Sequence, residues 1–596
     1  MKNFSLEEQE VFRKFLFTNP YGNDSFVYPQ QLVAGEELAP LMSAYSRTHL
    51  PMQTRVLQFI DSEKVEQARA MLPFIKDSFY KFRQEDGTLK VSKKTKRFTN
   101  EYVLFHSHAS IKEETALFGY SENISDIVGK KISGHPLNRP QGKSTRYISY
   151  GKTLDLALQD EDLLSLPNHG KVLEYIAHMN KRYLEMTEIV ANKVTEHPYT
   201  KQVVEFLKHP ENIEVEALKG IEHRKRTDDD YVFEEKHLEE ERQKVLQSLE
   251  DANVRKDIGR FVLDYTRVWL PAATRTSLGY SVDARTLEDI VIDMIATPRK
   301  EDQTRGYKLW EEARKIAPVL LGKRSHIRVN EWQAKNEEKF RKYAEERFNL
   351  IPERNKSDSG MVNLISPRNV VMYTDQFNSA LAAFPYTSIA LEDILDSLSQ
   401  NDAKDILEKA HEHRSQHDVI HPAISHGGLM AELVMPYHGY RDIFRHRRGS
   451  RSTQLLSTRL GFEVPDIFTI LDVDKEYMKD MKYASEVYED VRKISPHVAE
   501  KVVPFGANIR ALHSWQVNQI GYIGNLRSDI EKGNLTYVKM ARELVEQAKL
   551  LMPVTGSFFR YDTREYPAHL WKRGYGWWDK EKRQKDENRD NKKHSI

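Results

Sequence analysis

The feature that most limits what this chain can fold into is a pattern that occurs twice. Gln141-Gly142-Lys143-Ser144-Thr145-Arg146 and Gln454-Leu455-Leu456-Ser457-Thr458-Arg459 both read Q-x-x-S-T-R, 313 positions apart (141 to 454). Leu309 to Val319 and Leu544 to Val554 both read L-x-E-x-A-[RK]-x-x-x-P-V, 235 positions apart (309 to 544). The order is kept while the offset shrinks, which predicts two related halves with an insertion in the first. The insertion is the highly charged stretch from about Asp160 to Arg260, expected to form exposed helices or a helical hairpin. A length of 596 residues also exceeds what one ordinary core fills. The expected division is 1–335 for the first half, 336–366 for a linker, 367–560 for the second half and 561–596 for an aromatic and basic tail. The linker reading rests on the polar, turn-rich run Pro352–Ser366, and the last residues of the tail are too charged to pack.

Taken in order, residues 1–26 predict a short amphipathic helix and turn, and Pro29–Phe82 has helical periodicity through Leu38, Leu41, Met42 and Tyr45. Glu101–His108 predicts a strand. The chain has no cysteine, so disulfides, thiolate nucleophiles and Cys-bound metals are excluded. Net charge is +1, so no whole-chain field draws it to nucleic acid or membrane. With no apolar leader and no run of about 18 apolar residues, the expectation is a soluble, cytoplasmic protein.

Tyr440–Val464 carries the chemistry. Arginines and hydroxyls alternate there with Ile443, Phe444, Leu455, Leu456, Leu460 and Phe462. A guanidinium is a permanently charged fork of donors that matches phosphate oxygens. Held on an apolar frame, these forks predict an anion site, with a solvated basic face as the plainer alternative.

Arg445-His446-Arg447 followed by Ser452–Arg459 resembles the signature of the flavin-dependent thymidylate synthases (ThyX), RHR then S-x-N-E-x-S-x-R-Y. Gln454, Leu455 and Leu460 stand where that family has Asn, Glu and Tyr. Arg441-Asp442-Ile443-Phe444 resembles R-Q-x-F, and His426 resembles the His of an upstream E-H. Thr266 to Pro271 with Asp283-Ala284-Arg285-Thr286-Leu287 in the first half, and Val502-Val503-Pro504, Asn518 and Leu526-Arg527 in the second, resemble later family segments. In the first half Ser125–Lys131 aligns with Arg441–Arg447, so that Gly129-Lys130-Lys131 replaces the RHR.

The resemblance implies an α+β fold of two fused ThyX-like domains, each a helix-flanked antiparallel sheet, as a diverged tandem duplication. It implies FAD as cofactor, held by Arg445, His446, Arg447, His426, Arg441 and Asn518. It implies a nucleotide substrate held by Ser457, Arg459, Arg527, Ser144, Arg146, Tyr147 and Arg285. The implied reaction is methylation of dUMP to dTMP with a folate methylene donor (methylenetetrahydrofolate) and NADPH. The implied assembly is a homodimer forming a pseudo-tetramer, without nucleic acid or membrane partners. The residues leave two other readings open: a diverged flavin- or nucleotide-binding relative without this activity, and a metal-dependent phosphohydrolase. The latter rests on His413, His417 and His421, which a helix would put on one face, with His411 and Asp418 beside them.

Overall fold

The computed structural model describes residues 1–22, 38–101, 109–227, 231–322, 360–365, 374–384, 390–412, 420, 424, 428–530 and 533–564. The predicted strand after Glu101, most of the predicted linker, His413, His417, His421, His426 and the tail beyond 564 lie outside the described residues.

Strands and helices combine as a mixed helical and antiparallel-sheet fold. In the first half β1 (Ala116–Ser125), β2 (Arg139–Gly142) and β3 (Arg275–Asp283) form a sheet in the order β1-β3-β2. In the second half β4 (Val362–Ile365), β5 (Gly428–Pro436), β6 (Ser450–Thr453) and β7 (Asn508–Gln516) form one in the order β4-β5-β7-β6. The end of the predicted linker is therefore an edge strand, paired antiparallel with β5 from Val362 opposite Leu433. All other pairings are antiparallel too.

Both halves run strand, short helix, strand, helical segment, strand, helix, helix. The short helices are Asp126–Gly134 and Tyr437–Ile443, and the closing pairs are Ala284–Ala296 with Lys300–Ile316, and Val517–Arg527 with Leu535–Leu551. Register agrees as well. Ser125 faces Arg275 as Pro436 faces Asn508, offsets of 311 (125 to 436) and 233 (275 to 508). Gly142 faces Leu278 as Thr453 faces Ala511, with the same two offsets (142 to 453, 278 to 511).

This register corrects the alignment drawn from sequence. Ser125–Lys131 stands level with Pro436–Asp442, so Lys130 is the counterpart of Arg441, and Gly134-His135-Pro136 stands level with the RHR. The strand end sets where each short helix begins. Similarity between Lys and Arg side chains had pulled the alignment five residues too far.

The halves meet through a reciprocal set of backbone hydrogen bonds. Ala272 N donates to Val503 O and Phe505 N to Leu270 O, each at 2.9 Å; Ala273 N donates to Lys501 O at 2.8 Å and Gly506 N to Val268 O at 3.0 Å. Pro271 and Pro504 form the bridge at the centre. Donors and acceptors exchange under the 233 offset, which is the self-complementarity of a two-fold join. Around it one apolar core runs through both halves, with Trp269 packed on Phe468 and Tyr477. Each such ring, removed from water, contributes about 1.5–3 kcal/mol.

The insertion is narrower than its charge suggests. His169–Glu196 and Asp251–Thr266 are core helices, burying Tyr175, Met179 and Tyr183 in one and Ile258, Val262 and Tyr265 in the other. The hairpin Pro210–Thr227 and Glu235–Ser248 is the exposed part; no residue of its second helix is buried. Ion pairs such as Arg224–Glu241 and Arg242–Glu214, each 2.6 Å, tie its arms together.

Candidate functional site

A cavity of about 290 Å³ opens where the halves meet. The first half supplies one wall from the helix Asp126–Gly134 (Asp126, Gly129, Lys130, Ser133), another from β2 and the turn after it (Pro140–Thr145), and a floor from Thr276–Leu278 of β3. The second half supplies Arg441, Asp442, Phe444, Arg445 and Arg447. Arg267 completes it from the segment that leads into the two-fold join.

Local geometry explains why these side chains converge. Ser125 caps the helix by accepting Val128 N, which turns Asp126 and Lys130 inward. The turn Ser144-Thr145-Arg146 follows β2 directly. Ser144 reaches the cavity, while the Thr145 hydroxyl accepts from Arg441 at 2.9 Å and Arg267 at 3.2 Å. Gly449, at φ +112°, lets the chain after the RHR enter β6; a Cβ there would sit 1.9 Å from Ser514 O. No other residue type tolerates both the left-handed backbone and that approach.

Six cationic residues line the cavity (Lys130, Lys143, Arg267, Arg441, Arg445, Arg447) against two carboxylates. Both carboxylates are already engaged. Asp126 takes Arg441 at 2.8 Å and the Tyr437 hydroxyl at 2.6 Å. Asp442 takes Arg267 at 3.4 Å and Arg445 at 3.8 Å. Burial alone would raise the Asp442 carboxyl, but Arg445, Arg267, Arg146 and Arg527 outweigh it and hold the group well below the carboxylate range. Burial pushes the Lys130 amine well below its ordinary value, with Arg441 and Arg445 adding to it against Asp126 and Asp442. The Lys143 amine is lowered by burial too.

Of the residues expected to bind cofactor, Arg441, Arg445 and Arg447 reach the cavity and His446 does not. Arg527 Nε donates to His446 Nε2 at 2.9 Å, and the Gln519 amide meets Nδ1 at 3.1 Å. Accepting at Nε2, the ring is neutral; burial and Arg527 lower it to about 3. Asn518 lies on the helix Val517–Arg527, outside the cavity lining.

Of the expected substrate residues, Ser144 alone lines the cavity. Arg146 turns away to Asp264 at 3.1 Å and the Tyr537 hydroxyl at 3.3 Å. Tyr147 is exposed beneath Arg47. Arg285 pairs with Glu113 at the surface, because Asp283 of the same motif caps its helix and Leu287 takes the inward position. Arg459 pairs with Glu489 at 3.2 Å, and Ser457 accepts Arg459 N. Arg527 holds His446 and the Asp442 carbonyl rather than the cavity. Asp126, Lys130, Lys143, Thr145 and Arg267 escaped the sequence reading of the site; the available signal was that Thr145 belongs to the repeated S-T-R and Lys143 directly precedes it.

The other junction between halves is closed. Asp160, Asp162 and Glu301 could gather round a cation, and the Lys501 ammonium stands among them at 2.7, 2.8 and 2.7 Å. Burial would raise Glu301, but Lys501 and Arg275 hold it low; burial pushes Asp160 up against the same two cations. Of the histidine group, His411 bonds Leu407 O through Nδ1 and stacks on Phe558.

Residues 74–319 match the family model described as thymidylate synthase complementing protein, Thy1. That stretch of the chain is similar to the Thy1 family. The match covers the first half and stops well before Arg445. A UPF0159 protein of Chlamydia pneumoniae is 26% identical over 312 residues, 50% of this chain and 57% of that relative. A UPF0159 protein of Chlamydia muridarum is 25% identical over 309 residues, again 50% and 57%. The chain thus spans just over half the length of both chlamydial relatives. A UPF0159 protein of Thermoplasma acidophilum is 23% identical over 517 residues, 84% of this chain and 94% of its own length. Among solved structures, a UMP/dUMP methylase from Streptomyces cacaoi bound with 5-Br dUMP shares 18% identity over 33% of this chain and 94% of its own, with a TM-score of 0.26. No helix among the described residues is long and apolar enough to cross a membrane.

Proposed function

We propose that the chain is a fused pair of ThyX-like domains whose cavity between the halves binds the phosphate of a deoxyuridylate-type nucleotide for methylation. The observation that carries this is the charge imbalance of the lining: six cations, two carboxylates, both carboxylates already paired. Arginine forks set by a hydroxyl and a buried carboxylate are prearranged donors, so an anion binds them without reorganising the site. At about 290 Å³ the cavity falls just below the usual range of ligand pockets, roughly 300–1,000 Å³, and leaves room for no more than one mononucleotide.

FAD fits the donor chemistry at the rim. Arg447 and Arg445, whose side chain is 62% exposed, present forks to a pyrophosphate extending out of the cavity. When bound, the flavin supplies the electron and hydride chemistry. The residues of this chain bind and orient: Arg441 and Arg267 stay fixed on Thr145, and Ser144 offers a hydroxyl. NADPH and methylenetetrahydrofolate would be the co-substrates, and two chains would pair into a pseudo-tetramer.

A second reading, a nucleotide-binding relative without deoxyuridylate methylation, is favoured by one observation. Asp442, at the position of the family's substrate-binding Gln, is locked between Arg267 and Arg445, and Leu455, at that of the Glu, is exposed outside the cavity. Anaerobic incubation of purified protein with FAD, NADPH and dUMP, with and without methylenetetrahydrofolate, separates the readings. Formation of dTMP supports methylation. Tight dUMP binding without dTMP supports the relative, and absence of both flavin absorbance near 450 nm and dUMP binding contradicts the assignment.

A further inference from the structure

Lys130 has no role in the resemblance, and its surroundings are unusual for a lysine. Its ammonium lies 4.5 Å from the Phe444 ring centroid and 5.8 Å from that of Tyr437. Among the described residues no carboxylate comes within ion-pair reach of it. The two nearest acids are committed, Asp126 to Arg441 and Asp442 to Arg267 and Arg445. Its neighbour Lys131, by contrast, is paired conventionally with Asp293 at 3.1 Å. Lys130 thus faces the cavity with aromatic rings behind it and guanidinium groups beside it. An amine placed that way is short of negative charge whenever the cavity holds only water.

We propose that Lys130 is the residue that answers the phosphate of the ligand, taking up a proton as the anion enters so that filling the cavity and charging the amine are one event. This rests on the reading of the cavity as a nucleotide-phosphate site and adds its regulation. The groups facing the amine fix the sign. Arg441 and Arg445 from the second half oppose its charge, Asp126 on its own helix and Asp442 support it, and Phe444 and Tyr437 exclude water. A dianion placed between Lys130 and Arg441 reverses the balance, and the proton comes from the buffer. Arg441, its counterpart across the two-fold join, cannot do this because a guanidinium is always charged. The cavity therefore pairs one permanent and one switchable cation on matching positions. Affinity should weaken as pH rises, because each binding event then has to draw a proton from a scarcer supply.

Titration calorimetry with dUMP at pH 8, where a phosphomonoester is fully dianionic with its second pKa about 6, reads this directly in HEPES and in Tris. For wild type the observed heat should differ between the buffers by an amount matching uptake of up to about one proton per dUMP bound. Lys130→Met should bind at least about tenfold more weakly, with the same heat in both buffers. Lys130→Arg should recover affinity without proton uptake. Wild-type heats independent of buffer, or Lys130→Met retaining affinity and uptake, would overturn the proposal. If dUMP does not bind at all, the nucleotide reading fails separately, and inorganic sulfate, fully dianionic at pH 8, titrated in the same two buffers decides the lysine: uptake lost in Lys130→Met supports it, and no binding or no uptake overturns it. Thermal unfolding of each variant confirms that it is folded.

Discussion

The two junctions between the halves use matching positions to opposite ends. Arg267 and Glu500 stand 233 residues apart, level with each other on either side of the Pro271–Pro504 bridge. On one side Arg267 borders the cavity, where cations outnumber carboxylates six to two. On the other, Glu500 accepts from Arg299 and from Leu456 N at 3.0 Å. Beside it Lys501 is sealed among Asp160, Asp162 and Glu301, with no exposure of its side chain. That side satisfies its charges internally; the cavity side leaves an excess of positive charge that an incoming anion would balance. The comparison teaches that an arginine cluster alone does not make a site. What matters is whether the fold supplies the counter-charges itself.

Breaking the closed junction should have the largest effect. Lys501→Met leaves Asp160, Asp162 and Glu301 buried without their central cation, and removal of one partner from a buried ion group costs about 3–5 kcal/mol. Urea unfolding reads the loss, and a change below 1 kcal/mol would show that the cluster relaxes by taking up protons or water. Breaking the open junction should act on binding instead. Arg445→Ala with Arg447→Ala removes two charge-assisted donors, and dUMP or FAD affinity should fall by roughly 10²-fold. Unfolding should shift by under about 0.5 kcal/mol, since the Arg445 side chain is 62% exposed. Equal damage to both junctions would erase the distinction.

Acid should separate them more finely. His438, His446 and His513 all lie near the cavity side in the second half and are lowered to about 3, burial being the main cause in each. Arg267 adds to it for His438, Arg527 for His446 and Arg451 for His513. A neutral buried histidine binds fewer protons folded than unfolded. Stability should therefore be level above about pH 6.5 and fall as pH drops towards 3, by about 1.4 kcal/mol per pH unit per histidine. His513→Gln should flatten the curve by about that one share in urea titrations from pH 7 to 5.5. An unchanged slope would mean that His513 is not held neutral.

The smallest effects belong to residues that the motif promoted and the fold demoted. Arg459→Ala and Arg285→Ala remove surface pairs with Glu489 and Glu113, so each should change stability by less than about 1 kcal/mol and leave dUMP affinity unchanged. A tenfold loss of affinity in either would place that arginine in the site after all.

The same residues show what was legible in the sequence. The repeat announced matching topology, and the alternation of arginine with apolar residues announced packed cations, because both signals are local. Register was not local. Lys143 N bonds Ser277 O as Gln454 N bonds Arg510 O, which is the 311 offset (143 to 454). Ser144 accepts Arg146 N as Ser457 accepts Arg459 N, which is the 313 offset (144 to 457). Two residues, Leu455 and Leu456, are therefore extra in the second half, and their effect is to carry Leu456 N to Glu500. The matched glutamines are a coincidence of spelling. Lys130, aligned by sequence with His446, was passed over because its meaning depends on which acids are already taken, and only the assembled site shows that.

The central claim is that one junction takes a ligand and the other is already filled by the chain. Counting dUMP bound per chain by calorimetry, with FAD present and absent, tests it most directly. The account predicts one site per chain, lost in Arg445→Ala with Arg447→Ala; two equal sites per chain, or binding that survives that double substitution, would contradict it.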